Sequence, residues 1–257
     1  MNRIEGKTAI VTGATSGIGE SCARLFAKRG ANLILLARRE ERLNTLRDEL
    51  SATGVDVEVR VHDVRDRSLA NALAEDLRER DVTPDILLNN AGLGRGLGTV
   101  FEGDVQDWEE MIDTNVKGLL YMTRAILPLM VEQDRGHMIN IGSIAGRWVY
   151  PAGNVYNATK FAVHALNEAM SIDLVGTNIR VSSIDPGAVE TEFSLVRFHG
   201  DEEKAEKIYE GYTPLTPEDV ADAVCYVANA PPHVDVLQLV IMCTAQRSAT
   251  VFHKETS

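Results

Sequence analysis

The sequence predicts an α/β fold, a Rossmann-type doubly wound parallel sheet of seven strands with helices on both faces. Three observations predict it. Short apolar runs alternate with amphipathic stretches along most of the chain. Several of the runs are continuously apolar, as strands buried on both faces are. The first run passes through a glycine-rich turn directly into an amphipathic stretch, the strand–turn–helix order of a phosphate-binding unit.

Taken in order, residues 8–11 read as a buried strand and 18–29 as a helix stopped by Gly30. Residues 32–37 (NLILLA) are a second strand, and 40–50 a helix with Leu43, Leu46 and Leu50 on one face. Residues 55–61 alternate apolar and polar, as a strand does. Asp66 is placed to cap a helix whose stripe is Leu69, Leu73 and Leu77. A fourth strand at 86–89 precedes a largely helical stretch, 108–131, and a fifth strand at 137–141. A helix at 156–174, a strand at 179–184, a helix at 220–228 and a last strand at 236–241 follow. The irregular stretch 187–212 is long for a compact domain and reads as a substrate lid. No repeat or linker interrupts the pattern, so residues 1–257 read as a single domain.

The balance of 26 Lys and Arg against 38 Asp and Glu gives a net charge of -12, which repels a phosphate backbone and argues against nucleic-acid binding. Cys22, Cys225 and Cys243 lie far apart in apolar segments without metal-ligand spacing. They read as buried free thiols of a reducing compartment, and no metal is expected. No long apolar run follows Met1-Asn2-Arg3, and none approaches roughly 18 uncharged residues. Neither a secretory signal nor a membrane span is expected, and the cytoplasm is the default location.

The turn after the first strand is Thr12-Gly13-Ala14-Thr15-Ser16-Gly17-Ile18-Gly19. Gly13 permits a tight turn, Gly17 lets backbone approach a pyrophosphate, and Gly19 allows close helix packing. The helix start, from Thr15 to Gly19, offers free amides and a positive dipole to the anion. At the end of the second strand, an acid would bind a ribose 2′-hydroxyl. Arg38 and Arg39 stand there instead, and guanidinium suits a 2′-phosphate, so NADP is the expected cofactor.

Ser143 ends the fifth strand, and Tyr156 and Lys160 follow at Tyr-x-x-x-Lys spacing. Residues four apart share a helix face, so phenol and ammonium can act at one place. A free phenol has a pKa near 10. The Lys160 cation is expected to lower it, helped by an oxidised nicotinamide. Tyr156 then exchanges the proton of the reacting oxygen and Ser143 stabilises that oxygen as it gains charge.

With Asn89-Asn90-Ala91-Gly92 and Asp113-Thr114-Asn115 added, the motifs in this order make nearly the whole chain similar to the short-chain dehydrogenase/reductase family. The T-G-x-x-x-G-x-G spacing of the turn also resembles that family. The resemblance implies that Asp63 and Val64 bind adenine and that Asn90, Ala91 and Gly92 pass beside the cofactor. It implies that Lys160 also binds the nicotinamide ribose, and that Pro186, Gly187 and Thr191 contact the carboxamide. Asn115 is the implied fourth catalytic member, holding a helix kink and a water that leads protons to Lys160. Ser16 departs from the basic residue that many NADP members carry in the glycine loop. A homotetramer is implied as well, paired through the helices after the fourth and fifth strands.

The stretches 107–115, 121–125 and 192–200 resemble a narrower group, the bacterial NADP-dependent 3-hydroxy acid dehydrogenases that include serine and L-allo-threonine dehydrogenases. Their substrates are small carboxylates with a β-hydroxyl, and a small anion needs a cation or several donors in its pocket. Arg197 in the lid is the first candidate and Arg147 the second; Tyr150 and, from the C-terminal tail, Gln246 are further candidates. His199 has no partner visible in the sequence and reads as a solvated loop residue. The alternatives are a reductase of another carbonyl (a sulfonated aldehyde, a ketone or an acyl-carrier thioester) and a non-catalytic NADP sensor.

Overall fold

The computed structural model describes residues 1–255. The strands are β1 (Thr8–Thr12), β2 (Asn32–Ala37), β3 (Val57–Val61), β4 (Ile86–Asn89), β5 (Gly136–Ile141), β6 (Ile179–Pro186) and β7 (Gln238–Ile241). They form one sheet in the order β3-β2-β1-β4-β5-β6-β7, and every neighbouring pair is parallel. The helices are α1 (Gly17–Lys28), α2 (Glu40–Ser51), α3 (Arg67–Glu79), α4 (Val105–Ile112), α5 (Leu119–Glu132), α6 (Asn154–Asp173), α7 (Glu192–Arg197), α8 (Glu202–Lys207) and α9 (Pro217–Ala228).

Successive strand residues point to opposite faces, so the sheet carries two cores. Ala9 and Val11 of β1 join Cys22 and Phe26 of α1, Leu43 of α2 and Val224 of α9 on one face. Ile10 between them joins Leu73 of α3, Met122 of α5 and Val163 of α6 on the other. Each of the larger aliphatic and aromatic side chains among them, fully buried, contributes roughly 1.5–3 kcal/mol. The strand order reverses between β1 and β4, and this opens a crevice at the carboxyl ends of those strands.

Several sequence expectations need adjustment. The stripe of α3 is Ala70, Leu73, Ala74 and Leu77, while Leu69 is exposed, because a constant spacing of four drifts around a helix of about 3.6 residues per turn. β3 begins at Val57 rather than at 55. The stretch 108–131 is helical throughout but divided where the resemblance implied a kink. A π-helical segment, Asp113–Gly118, separates α4 from α5, and Asn115 lies within it. The stretch 187–212 is not wholly irregular, since it holds α7 and α8, each capped by its own side chain, Thr191 and Asp201. The three cysteines are buried and free, as expected. Among the described residues, no helix is long and apolar enough to cross a membrane, and no acidic, His or Cys cluster could hold a metal ion.

Candidate active site

The crevice is a cleft of about 320 Å³. Every residue expected at the cofactor lines it except Gly19, which lies beneath. The reason is steric. A Cβ on Gly19 would come within 2.4 Å of both the Gly13 carbonyl oxygen and Asn90 Nδ2. Gly13 has φ +66°, the left-handed region, and its own Cβ would stand 2.9 Å from Asn90 Nδ2. Asn90 in turn donates to the Thr12 carbonyl at 2.9 Å, and Thr12 Oγ1 accepts from the amides of Asn90 and Ala91. The glycine turn and the end of β4 are thus bound into one floor.

This floor fits a dinucleotide. Ser16, the N-cap of α1, makes no side-chain cap bond, so the first-turn amides have no side-chain acceptor of their own and face the cleft. Arg38 and Arg39 line the same cleft at the end of β2. Arg39 donates to the Thr15 carbonyl at 3.0 Å and to Thr15 Oγ1 at 3.2 Å, which ties the basic strand end to the glycine turn. Its remaining nitrogen meets Glu192 of α7 at 2.8 Å, not the neighbouring Glu40 or Glu41. Asp63 and Val64 also line the cleft. Both Asp63 oxygens accept from Arg65, whose bonds hold the carboxyl below its ordinary pKa.

Ser143, Tyr156 and Lys160 line the other end of the same cleft. Ser143 Oγ caps a short 3-10 turn by accepting from the Ala145 amide at 3.1 Å. Lys160 is buried, and its Nζ donates to the Ile141 carbonyl at 2.9 Å. It stands 6.0 Å from the centre of the Tyr156 ring. Asn115 does not line the cleft but binds its wall. Its Nδ2 donates to the Leu93 carbonyl and to Thr159 Oγ1, and its Oδ1 accepts from the Leu93 amide at 2.8 Å. The π-helical widening carries this side chain into reach of the segment after β4.

The expected lowering of the Tyr156 pKa is not what the protein alone produces. Burial pushes the phenol up, against the charge of Arg197 and the Ser143 hydroxyl. Lys160 itself is lowered by burial to about 8, with Asp185 opposing. From pH 8 up to the ordinary lysine value of about 10.4, the unfolded chain therefore binds more protons than the folded one, and stability rises with pH. Denaturant unfolding is expected to show this gain, on the order of 3 kcal/mol across that window, in the wild type and not in Lys160→Met. Parallel stability curves for the two proteins would mean that Lys160 keeps an ordinary pKa.

The four substrate candidates separate. Arg197 lies at the end of α7, its guanidinium carbon 4.8 Å from the centres of the Tyr156 and Phe193 rings. It donates to Tyr150 Oη at 3.0 Å, while its buried Nε has no partner among the described residues. Tyr150 is thereby held beside Arg197. Neither residue lines the cleft directly. Arg147 is not brought to the cleft: its Nε and Nη2 meet Asp185, which is almost fully buried, and Nη2 also donates to Gln238. A buried carboxylate needs a paired cation, and this one claims Arg147. Gln246 is also not a lining residue. It is buried and accepts from the Ala188 amide at 2.9 Å, bracing the loop that follows Pro186 and Gly187. His199 is exposed but not unpartnered, since its ring meets Asp107 of α4 at 3.1 Å.

Three charged residues escaped the sequence reading. Asp185 lies near the end of β6, one residue beyond the strand read from the sequence, and is almost fully buried, so it needs a cation beside it. Arg95 meets Glu110 at 2.7 Å and donates to the Val196 carbonyl at 2.6 Å, fastening the end of α7. Glu192 gives no local signal, because its partners Arg39 and Arg42 lie 153 and 150 residues away along the chain.

The model of the short chain dehydrogenase family matches residues 7–201. The chain is 50% identical over 241 residues to the NADP-dependent 3-hydroxy acid dehydrogenase YdfG of Salmonella typhi, covering 93% of this chain and 96% of that protein. It is 44% identical to sulfoacetaldehyde reductase 2 of Chromohalobacter salexigens, over 92% of this chain and 94% of that one. Among solved structures, the closed form of serine dehydrogenase complexed with NADP+ matches with a TM-score of 0.90 and 46% identity, over 97% of this chain and 100% of the other.

Proposed function

The chain belongs to the short chain dehydrogenase family, and on that footing we propose that it is an NADP-dependent oxidoreductase acting on a small 3-hydroxy acid or its oxo form. One observation carries the proposal: Ser143, Tyr156 and Lys160 line a single cleft with the glycine turn and the arginine pair at the end of β2. The cofactor supplies the hydride acceptor or donor. The first-turn amides of α1 hold its pyrophosphate, and Arg38 and Arg39 its 2′-phosphate.

Tyr156 takes the proton of the substrate hydroxyl in oxidation and returns it to the carbonyl in reduction. Lys160 holds positive charge beneath the ring and binds the ribose, and Ser143 donates to the reacting oxygen. Asn115 fixes the wall between them through Leu93. Arg197, with free donor capacity beside Tyr156, takes the substrate carboxylate. The 3-hydroxy acid and serine dehydrogenases among the relatives support that substrate class. A second reading, a small sulfonated aldehyde, is favoured by the likeness to the sulfoacetaldehyde reductase, since a sulfonate suits the same guanidinium. The proposal extends to a homotetramer in the cytoplasm.

The test is a substrate panel followed by the absorbance of reduced nicotinamide. Turnover of L-serine, L-allo-threonine or 3-hydroxypropionate is expected, with NADP+ preferred over NAD+. Turnover of sulfoacetaldehyde alone would select the second reading. Inactivity toward all of them would remove both.

A further inference from the structure

The mouth of the cleft is bridged by an acid. Glu192 lies in the first turn of α7, directly after the cap Thr191, and both residues line the cleft. Its two carboxylate oxygens are held separately, one by Arg39 at 2.8 Å and the other by Arg42 at 2.7 Å. Burial alone would raise its pKa, yet the bonds from Arg39 and Arg42 leave it below the ordinary value. It is therefore a full carboxylate at neutral pH.

The position of this carboxylate matters because Arg39 has a second attachment. All three of its nitrogens already hold an acceptor, two on Thr15 of the glycine turn and the third on Glu192, so another anion in the cleft meets a guanidinium that a carboxylate already occupies. All three charged side chains are about half exposed, with 41% for Arg39, 41% for Glu192 and 51% for Arg42. Pairs this open to water are weak and exchangeable. A phosphate brings more charge and more acceptor oxygens than a carboxylate, and guanidinium accommodates it with paired hydrogen bonds.

We propose that Glu192 is an internal competitor for the 2′-phosphate of the cofactor, closing α7 onto Arg39 and Arg42 until a phosphate takes Arg39 from it. The inference rests on the assignment of the arginine pair to that phosphate. It makes Glu192 a specificity-determining residue that lowers affinity for the phosphorylated cofactor without touching its unphosphorylated counterpart. NAD leaves the Glu192–Arg39 bond intact, whereas NADP must break it and then tolerate a carboxylate close by.

Calorimetric binding of adenosine 2′,5′-bisphosphate and of adenosine 5′-monophosphate isolates the 2′-phosphate and needs no turnover. In Glu192→Gln, the bisphosphate is expected to bind about three- to tenfold more tightly than in the wild type at low salt, and the advantage to shrink at high salt. The monophosphate is expected to bind both proteins equally. Unchanged or weaker bisphosphate binding in Glu192→Gln would overturn the competitor role. The pair Arg38→Ala and Arg39→Ala, made together, separates the two levels. If that variant loses the preference for bisphosphate over monophosphate while Glu192→Gln gains nothing, only the competitor role fails. If it keeps the preference, the phosphate assignment fails and the competitor role with it.

Discussion

Replacing Tyr156 by Phe is expected to lower kcat by about 10²–10⁴-fold while NADP binding changes little. The substitution removes one oxygen and leaves the ring. That ring packs edge-on against Phe193 at 5.5 Å and carries Arg197 on it at 4.8 Å, so the wall of the cleft keeps its shape. Lys160 keeps its bond to the Ile141 carbonyl, because that bond does not pass through the phenol. What is lost is the group proposed to exchange a proton with the reacting oxygen. The wild-type rate of oxidation should also rise with pH, since burial holds the phenol high and the phenolate is the base. This dependence should flatten in Tyr156→Phe. A variant with wild-type kcat and an unchanged pH profile would remove Tyr156 as the acid/base and with it the proposed chemistry.

Replacing Arg197 by Met carries the second large effect. Methionine fills much of the space between Tyr156 and Phe193 but carries neither charge nor donors. A carboxylate bound to a desolvated guanidinium loses a charge-assisted pair, so kcat/KM for 3-hydroxy acids should fall about 10²–10³-fold. A methyl ester of the same substrate never made that pair and should lose less than about fivefold. There is a second signature. The Arg197 charge opposes the rise of the Tyr156 pKa, so removing it should move the alkaline limb of the oxidation profile to higher pH. An equal loss for acid and ester would show that Arg197 holds the packing of α7 rather than binding the substrate anion.

The strands and the motifs were legible because they obey local rules. β2 and β4 fall where the apolar runs put them, and Tyr156 and Lys160 share a face because one helical turn separates them. The π-helical segment around Asn115 was less visible. Within it the Asn115 side chain meets the backbone of Leu93, 22 residues away, and no periodicity within the helix announces that contact. The substrate candidates divided for a similar reason. Arg147 and Arg197 look alike as isolated arginines, but a buried aspartate lies beside one and an aromatic cage beside the other.

The chain's own order of residues determined the sheet class, the glycine turn and the side chains proposed to react, since backbone propensity and short spacings set these within a few turns of structure. Folding in three dimensions decided which charges meet. Glu192 reaches Arg39 across 153 residues, and Asp185 claims Arg147 across 38, because crossover connections carry distant segments to the same end of the sheet. A charge in a linear pattern has only a sign. Its partner, and hence its pKa and its freedom to bind a ligand, comes from the surface that folding lays against it.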